Sequence, residues 1–468
     1  MSNITNRLVD ALQREIDTLT AEVMQLAAGA RFRRVRDGDS LVTLLEARAD
    51  GKAKAAELFR RLEDCGVTLV SVMKRRRSGR DADVRSLIDD FRTFVMLEHT
   101  DDFHITEMRW REAFAHDCEV VALEFKRLIE SQRETVTETE PAMEHEPFHL
   151  LVTQVDDSQW RVSATARVGS AETIVAALPS ALFEKELAEH SGKRLFTSVF
   201  TGSIAELFRH ARAAALGHGR GMRVEIDGKS VAVPWEALHD GKQFLGVAAV
   251  CPIVRHVSTT QPNPPGVPLR ILLTISAPRD LTPLNTESER GMIEEALRPL
   301  VFLGLVRLDV ARDGTLNTTR RMLRSAASEG RPYHVWHFIG HGKQGLSGEL
   351  FMAGTDGKPH PVSGPELDAV LSDHREVTLL VLNACEGAKG GAQSLAAKLA
   401  AAGTRAVIAM QFKIADTAAI VFAEELYGSI ADGASLETAV TEARRALFCQ
   451  PSNREWFTPV LFSGYPSP

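Results

Sequence analysis

The sequence predicts an α/β protein with a parallel sheet, preceded by an all-helical amino-terminal domain. Apolar residues recur at helical spacing up to about residue 133, whereas strand-like and helix-like segments alternate from Phe148 onward. Such alternation is typical of a doubly wound α/β domain with a parallel sheet. In that architecture the loops at the carboxyl ends of the strands line the ligand crevice.

Residues 1–133 are predicted to form a helical domain with a regulatory or interaction role. In the segment 4–26 the apolar residues follow the helical repeat, and Gly29 ends the pattern. No repeat of about 34 residues is visible, so tetratricopeptide repeats are not expected. Further amphipathic stretches lie around 41–64, 84–98 and 106–131.

A basic run, MKRRRSGR at 73–80, lies between two of these predicted helices. One interpretation is a nucleic-acid patch, and the other is a solvated loop. Asp81 and Asp83 follow at once and the chain has a net charge of -7, so the solvated loop is favoured. Direct binding of nucleic acid is therefore not expected.

Two breaks in composition divide the chain. The stretch 134–147 has five glutamates, two prolines and no lysine or arginine, and is predicted to be a solvated linker. The proline-rich stretch 258–268 is predicted to connect two parts of the α/β region. The predicted organisation is a helical domain (1–133), a linker (134–147) and two α/β parts (148–265 and 266–468).

Composition and cysteine usage indicate a cytoplasmic protein with free thiols. No apolar run reaches the ~18 residues that a membrane span requires, and the first residues lack the apolar core of a signal peptide. The five cysteines are odd in number and widely scattered, and no two have the spacing of a zinc site. Such usage is typical of a reducing compartment. We therefore expect no membrane association.

Two predicted strands end in reactive side chains. The strand YHVWHFIGHG ends at His341, and the later strand LLVLNACEG ends at Cys385. If the two are neighbours in a parallel sheet, imidazole and thiol meet at one edge, because adjacent strands lie about 4.8 Å apart. A neighbouring imidazolium favours the thiolate, the nucleophilic form of cysteine. The amides of Gly342 and Cys385 are the candidate oxyanion donors.

Each residue also has a structural interpretation when it is taken alone. A histidine between glycines can be structural, and Cys385 can be a small buried residue at a strand end. Their joint placement at strand ends of this fold type favours a catalytic pair, with the other four cysteines inert. Neither a set of zinc ligands nor a GxxxxGK[ST] motif is apparent, so no metal or cofactor is predicted.

These motifs resemble the CHAT domain of prokaryotes, a caspase-like relative of separase in peptidase clan CD. The resemblance rests on the histidine and cysteine strands, extends over 401–447, and includes WFTPVLFSG near the end. Upstream, VAVPWEALHDGKQFLGVAAVCPIVRHV resembles the region that precedes the caspase-like half. The resemblance implies a caspase-like sheet with helices on both faces, a non-catalytic half over 148–265 and a catalytic half over 266–468. It also implies a cysteine endopeptidase with His341 and Cys385 as the catalytic pair and no obligatory metal.

Asp416, in FKIADTAA, is the candidate for the pocket that holds the substrate side chain before the cleaved bond. There it would favour Arg or Lys by charge pairing. The alternative is that Asp416 caps a helix beginning at Thr417, a role that aspartate performs well.

Four further residues are candidates for contact with substrate. Arg279 and Asp280 follow the first strand of the catalytic half and are expected to border the cleft. Phe412 stands where many relatives have tryptophan, which would alter a substrate wall. Glu386 lies beside the candidate nucleophile; one interpretation is that it tunes the pKa of the thiol or touches substrate, and the favoured one is an exposed loop residue.

Residues and resemblance together predict a latent protease that cleaves one protein partner, encoded nearby. Because an unrestrained endopeptidase would harm its own cell, we expect activation by a protein or ligand that orders its loops. Bacterial relatives are tied to antiphage defence and regulated cell death, so the resemblance implies that context. The helical domain is a candidate for homo-oligomer contacts. The alternative is a catalytically silent caspase-like scaffold or signalling adaptor that binds partners.

Overall fold

The computed structural model of the chain describes residues 2–29, 31–37, 40–46, 49–75, 81–96, 107–133, 143–156, 159–176, 188–227, 233–258, 266–282, 286–343, 349–385, 391–402, 406–451 and 454–464. The chain divides into two compact units. The first comprises Met1–Thr139 with Arg298–Leu303, and the second comprises Glu140–Leu297 with Gly304–Pro468. Among the described residues, no helix is long and apolar enough to cross a membrane.

The first unit is largely helical, as its apolar periodicity predicts. Ile16, Phe91 and Phe125 are fully buried in one core formed by the apolar faces of the helices. Residues three and four apart share one side of a helix, so the periodic apolar residues collect on a single face. The helices are α1 (Ser2–Ala28), α2 (Ala49–Arg75), α3 (Asp81–Met96) and α4 (Glu107–Glu130).

This unit is not all-helical, because a two-stranded antiparallel hairpin follows the first helix. The hairpin consists of β1 (Arg31–Asp37) and β2 (Ser40–Glu46). The stretch around 41–64 therefore starts as a strand and becomes helical only at Ala49. Short apolar runs do not distinguish strand from helix by periodicity, and the Asp-Gly pair at 37–38 is the hairpin signal that favours a strand.

The basic run at 73–80 lies partly in a helix. Helix α2 continues through Arg75, so the first residues of the run are helical and not part of a loop. Residues 76–80 lie outside the described residues.

Within its described residues, the second unit contains one mixed sheet of thirteen strands with accompanying helices. The strands are β3 (His145–Gln154), β4 (Gln159–Ala166), β5 (Gly169–Ala176), β6 (Gly221–Asp227), β7 (Ile253–Ser258), β8 (Leu269–Ile275), β9 (Val306–Ala311), β10 (Val335–Lys343), β11 (Glu349–Ala353), β12 (Pro359–Ser363), β13 (Leu379–Cys385), β14 (Ala406–Met410) and β15 (Pro459–Gly464). The helices are α5 (Ala188–Val199), α6 (Gly202–Gly217), α7 (Thr286–Phe302, of which residues 298–302 belong to the first unit), α8 (Leu316–Ser328), α9 (Gly364–Leu371), α10 (Gly391–Ala402), α11 (Asp416–Ala431) and α12 (Leu436–Phe448).

The middle of the sheet has the parallel order that the alternating pattern predicts. Strands β9, β8, β10, β13 and β14 are successive parallel neighbours. Strand β15 pairs antiparallel with β14 and parallel with β7, which continues the sheet into β6 and β3. The predicted α/β fold class is therefore confirmed, and one sheet runs through both parts of the α/β region.

Helices cover both faces of this sheet. Trp336 of β10 and Leu380 of β13 belong to one apolar core with Leu395 of α10. The next residue of β10, His337, bonds Tyr427 of α11. Because successive side chains of a strand point to opposite faces, α10 and α11 lie on opposite sides of the sheet.

The alternating pattern does not predict the antiparallel margins of the sheet. Strand β5 pairs with β4, and the β11–β12 hairpin adds to the end of β10. Pro359 and Pro361 give β12 the sequence of a loop, but prolines are tolerated in a strand at a sheet edge. Strand β3 begins at His145, inside the stretch 134–147 that the sequence predicts as linker.

Candidate active site

The histidine strand and the cysteine strand are neighbours. Strands β10 and β13 pair in parallel from Val335↔Leu379 to His341↔Cys385. The two candidate residues therefore occupy one register position at the carboxyl ends of adjacent strands, and the predicted adjacency of the strands is confirmed. The side chain of Cys385 and the whole of Glu386 lie outside the described residues.

The glycines around His341 are required by close packing of the backbone. A Cβ at Gly340 would lie 3.1 Å from the carbonyl oxygen of Ser276, and one at Gly342 would lie 3.2 Å from Cβ of Ala384. Both separations are tighter than ordinary van der Waals contact, so a side chain would push the strands apart. Gly340 thus lets the loop after β8 approach the histidine strand, and Gly342 leaves room for Ala384 of the cysteine strand.

The imidazole of His341 is oriented by a backbone carbonyl. His341 is 5% exposed, and its Nε2 lies 2.9 Å from the carbonyl oxygen of Thr282. A carbonyl oxygen can only accept a hydrogen bond, so Nε2 carries the proton and, in the neutral ring, Nδ1 has the free lone pair. Thr282 lies in the loop after β8, which is anchored where the Ser276 amide donates to the Ile339 carbonyl at 2.8 Å.

Arg279 and Asp280 lie on this same loop. Both residues are exposed, and the Arg279 amide donates to the carbonyl of Gly357 at 3.0 Å. Gly357 has a φ of +76°, and a Cβ there would lie 3.0 Å from Nε of Arg279. The loop therefore connects the turn between β11 and β12 to the carbonyl that orients His341.

Phe412 and Asp416 follow strand β14. Phe412 is half-buried and packs edge-to-face against Phe457, with ring centroids 5.6 Å apart. Asp416 is exposed and is the first residue of α11, whose N-cap position is Ala415. The capping role at a helix beginning at Thr417 is therefore wrong. Glu455 serves this helix end instead, because its Oε1 accepts from the Ala415 amide at 3.0 Å.

The CHAT domain family matches residues 189–461 of the chain. The chain belongs to the CHAT domain family. None of the curated proteins matches. Among solved structures, separase in the separase–securin complex of Saccharomyces cerevisiae matches with a TM-score of 0.40 and 12% identity. The match covers 99% of this chain and 40% of the separase chain, so the chain spans well under half the length of that protein.

A buried charge network joins the two parts of the CHAT domain. Arg255 of β7 donates to both carboxylate oxygens of Glu236, from Nε at 3.0 Å and from Nη2 at 2.7 Å. Gln411, next after β14, donates to Glu236 at 2.8 Å and accepts from Arg255 at 3.1 Å. Arg444 of α12 lies 4.0 Å from Glu236.

This network positions the segment that leads to the candidate substrate wall. Glu236 and Arg255 are the charged residues of the PWE and RHV motifs that carry the upstream resemblance, whereas Gln411 and Arg444 give no sequence signal of their own. Because Gln411 directly precedes Phe412, its fixed side chain sets where the 412–416 segment leaves the sheet. Burial lowers the pKa of Arg444 to about 10, and the nearby Glu236 carboxylate opposes that shift.

His337 lies four residues before His341 on β10 and is fully enclosed by the CHAT domain. Burial lowers its pKa to about 4, so the ring is neutral at physiological pH. The Tyr427 hydroxyl lies 3.0 Å from its Nδ1, and burial raises the pKa of Tyr427. The protonated hydroxyl therefore donates to the neutral imidazole, which supports a structural role for His337.

Replacement His337→Gln is expected to reduce the acid sensitivity of the folded state. Between pH 6.5 and 4 the unfolded chain gains a proton at His337 that the folded chain does not, so stability is lost as pH falls through this window. Between pH 8 and pH 5 the parent should lose about 2 kcal/mol more of its unfolding free energy than the variant loses. Urea unfolding at both pH values measures it, and a pH-independent difference would contradict the assignment.

The described cysteines differ in access to solvent. Cys65, Cys118 and Cys251 are buried. Burial raises the pKa of Cys118 to about 11 and that of Cys251 to about 12, and it also raises the pKa of Cys65. These three thiols are therefore inert, as predicted. Cys449 follows α12 and is exposed, so its thiol is accessible to solvent and its predicted inertness stays a prediction.

Proposed function

We propose that this CHAT domain protein is a cysteine endopeptidase with Cys385 as nucleophile and His341 as its general base. One observation carries the proposal: the two residues share a register position at the carboxyl ends of adjacent parallel strands. That edge of an α/β sheet is where ligands bind. The bond from Nε2 of His341 to the Thr282 carbonyl adds support, because it leaves Nδ1 as the nitrogen able to take a proton.

The proposed reaction proceeds through an acyl-enzyme. Nδ1 of His341 accepts the thiol proton, and the thiolate attacks the scissile carbonyl carbon. The amides of Gly342 and Cys385 would donate hydrogen bonds to the resulting oxyanion. His341 then gives its proton to the leaving amine, and a water molecule, activated by the same nitrogen, releases the acyl group from sulfur.

Covalent labelling distinguishes this enzyme from a silent caspase-like scaffold. A peptide bearing a thiol-reactive electrophile should label Cys385 at least about 10-fold faster than Cys449, although Cys449 is exposed. Mass spectrometry of tryptic peptides gives the site and the rate. His341→Ala should remove the difference, because the thiolate loses its partner. Equal rates at the two thiols in the parent protein would favour the scaffold.

Asp416 is proposed to set a preference for Arg or Lys before the cleaved bond. The support is its position: it is exposed, it starts α11, and it lies close in sequence to the segment held by the buried network. Arg279, Asp280, Phe412 and Glu386 are proposed to border the same cleft. Their exposure or half-buried state, where described, is compatible with contact to a peptide.

Replacement Asp416→Asn should lower kcat/KM for peptides with Arg or Lys before the cleaved bond by about 10–100-fold, because the charge-assisted bond is lost. Peptides with a neutral residue at that position should change little. Comparing the two peptide sets measures the preference. Lys413→Gln, an exposed change in the same segment, is the matched control. A uniform loss over both peptide sets would assign Asp416 a structural role.

We propose that the natural substrate is one protein encoded nearby and that a protein or ligand activates a latent enzyme. The biological context implied by the family resemblance is antiphage defence or regulated cell death, in the cytoplasm. The helical unit would carry the regulatory or homo-oligomer contacts. Incubating the protein with each product of the neighbouring genes, and sequencing any new amino termini, tests the choice of substrate.

A further inference from the structure

Three potential metal ligands converge on one face of the sheet, outside the catalytic half. His149 of β3 is the register partner of Glu225 of β6. His256 of β7 lies two residues beyond Val254, the register partner of Glu225. All three side chains therefore project from the same face of three adjacent parallel strands. One ligand atom from each lies within 4.8 Å of the other two.

These ligand atoms are buried without hydrogen-bond partners. Nδ1 of His149, Nδ1 of His256 and Oε2 of Glu225 each have none. Oε2 lies 3.9 Å from the His149 nitrogen and 3.8 Å from the His256 nitrogen, which is too long for a hydrogen bond. Most buried polar atoms in native proteins are hydrogen-bonded, so three unpaired ones at one point indicate a shared partner.

The carboxylate is held in place through its other oxygen. Nε and Nη2 of Arg223 donate to Oε1 of Glu225 at 2.9 and 2.7 Å, and Nη1 of Arg223 donates to Glu437 at 3.2 Å. The Glu225 side chain is fully buried, yet only Oε1 takes part in these bonds. Partners of this kind orient metal ligands in proteins, and here they leave Oε2 directed at the two imidazoles.

We propose that His149, Glu225 and His256 bind one divalent transition-metal ion. Two imidazoles and a carboxylate suit Zn²⁺, with a water molecule in the fourth position. The His149 side chain is 22% exposed and gives the ion a route from solvent. The ion ties together β3, β6 and β7, and β7 is three strands along the sheet from the cysteine strand β13.

Sequence spacing gives no sign of this site. The three residues lie on separate strands, and although His145 and His149 have an H-x3-H spacing, no close pair of cysteines accompanies them to make a zinc motif. The prediction of a protein without metal depended on such motifs. Parallel pairing of distant strands assembles the ligands instead.

Metal content and cobalt spectroscopy test the proposal on the full chain. The untagged Cys385→Ala protein is used, so that the candidate nucleophile cannot bind the metal. After chelation and reconstitution with Zn²⁺, elemental analysis should give about one ion per chain. Co²⁺ should give visible d–d absorption, and the melting temperature of the Zn²⁺ form should exceed that of the metal-free form.

Variants locate the ion. His149→Ala and His256→Ala should each lower Co²⁺ affinity at least about 100-fold, whereas His218→Ala should not. His218 is the matched control, because its Nδ1 pairs with Glu146 at 2.9 Å in the same half of the CHAT region. If alanine at position 149 impairs folding, His149→Gln serves as a second variant, because glutamine keeps a polar side chain at this partly exposed position.

Two results would overturn the metal site. One is less than about 0.1 ion per chain after reconstitution. The other is a Co²⁺ spectrum that is the same in His149→Ala, His256→Ala and the parent. Either result would leave the proposed peptidase intact, because no step of that reaction uses these three residues.

Discussion

Replacement Cys385→Ala is expected to abolish cleavage of the protein substrate, with kcat/KM falling at least about 10³-fold. Without the thiol no acyl-enzyme can form, and no other described cysteine shares a register position with His341. The measurement is product formation over time from the full chain with its activator and substrate. Cys449→Ala, which removes an exposed thiol, is the matched control and should retain activity.

His341→Ala should cause a loss of similar size. The Cys385→Ala/His341→Ala double variant should be no slower than either single one, because residues that act as a unit give non-additive losses. His341 is buried, so unfolding curves of each variant must first match the parent. Persistent formation of the same product by either single variant would refute the proposed pair.

Replacement Glu236→Gln is expected to lower the free energy of unfolding by about 3–5 kcal/mol. The change removes the negative charge that Arg255 contacts through two hydrogen bonds, in a site where both side chains are buried. Arg444 would then lose the carboxylate that lies 4.0 Å from it as well. Guanidinium unfolding at pH 7 measures the loss. Activity should also fall, because Gln411 would lose the carboxylate that holds its side chain in position next to the 412–416 segment.

Glu189→Gln is the matched control for this substitution. Glu189 pairs with Lys193 on the surface of α5, where solvent screens an exposed i, i+4 pair and its loss should change stability little. A second comparison is Glu236→Leu with Arg255→Met, which removes both charges and should recover part of the loss. If Glu236→Gln and Glu189→Gln were equally stable, the buried network would have no structural role.

Local pattern predicted the middle of the α/β unit well. Strand and helix periodicity depends on residues that are close in sequence, so the positions of β8, β10, β13 and β14 could be predicted from sequence. The same reasoning placed His341 and Cys385 at two strand ends on one edge. It failed for β1–β2, where a short apolar run fits both helix and strand, and for β12, where prolines suggest a loop.

The sequence by itself thus determined the α/β class, the strand-end position of the candidate catalytic pair and the resemblance to the CHAT domain. Only the tertiary structure decided which groups complete each site. The Thr282 carbonyl at His341, Gln411 between Glu236 and Arg255, and the cluster around Glu225 all depend on pairing between distant strands and loops. Strand register and loop approach are set by long-range packing, and no local pattern of residues encodes those distances.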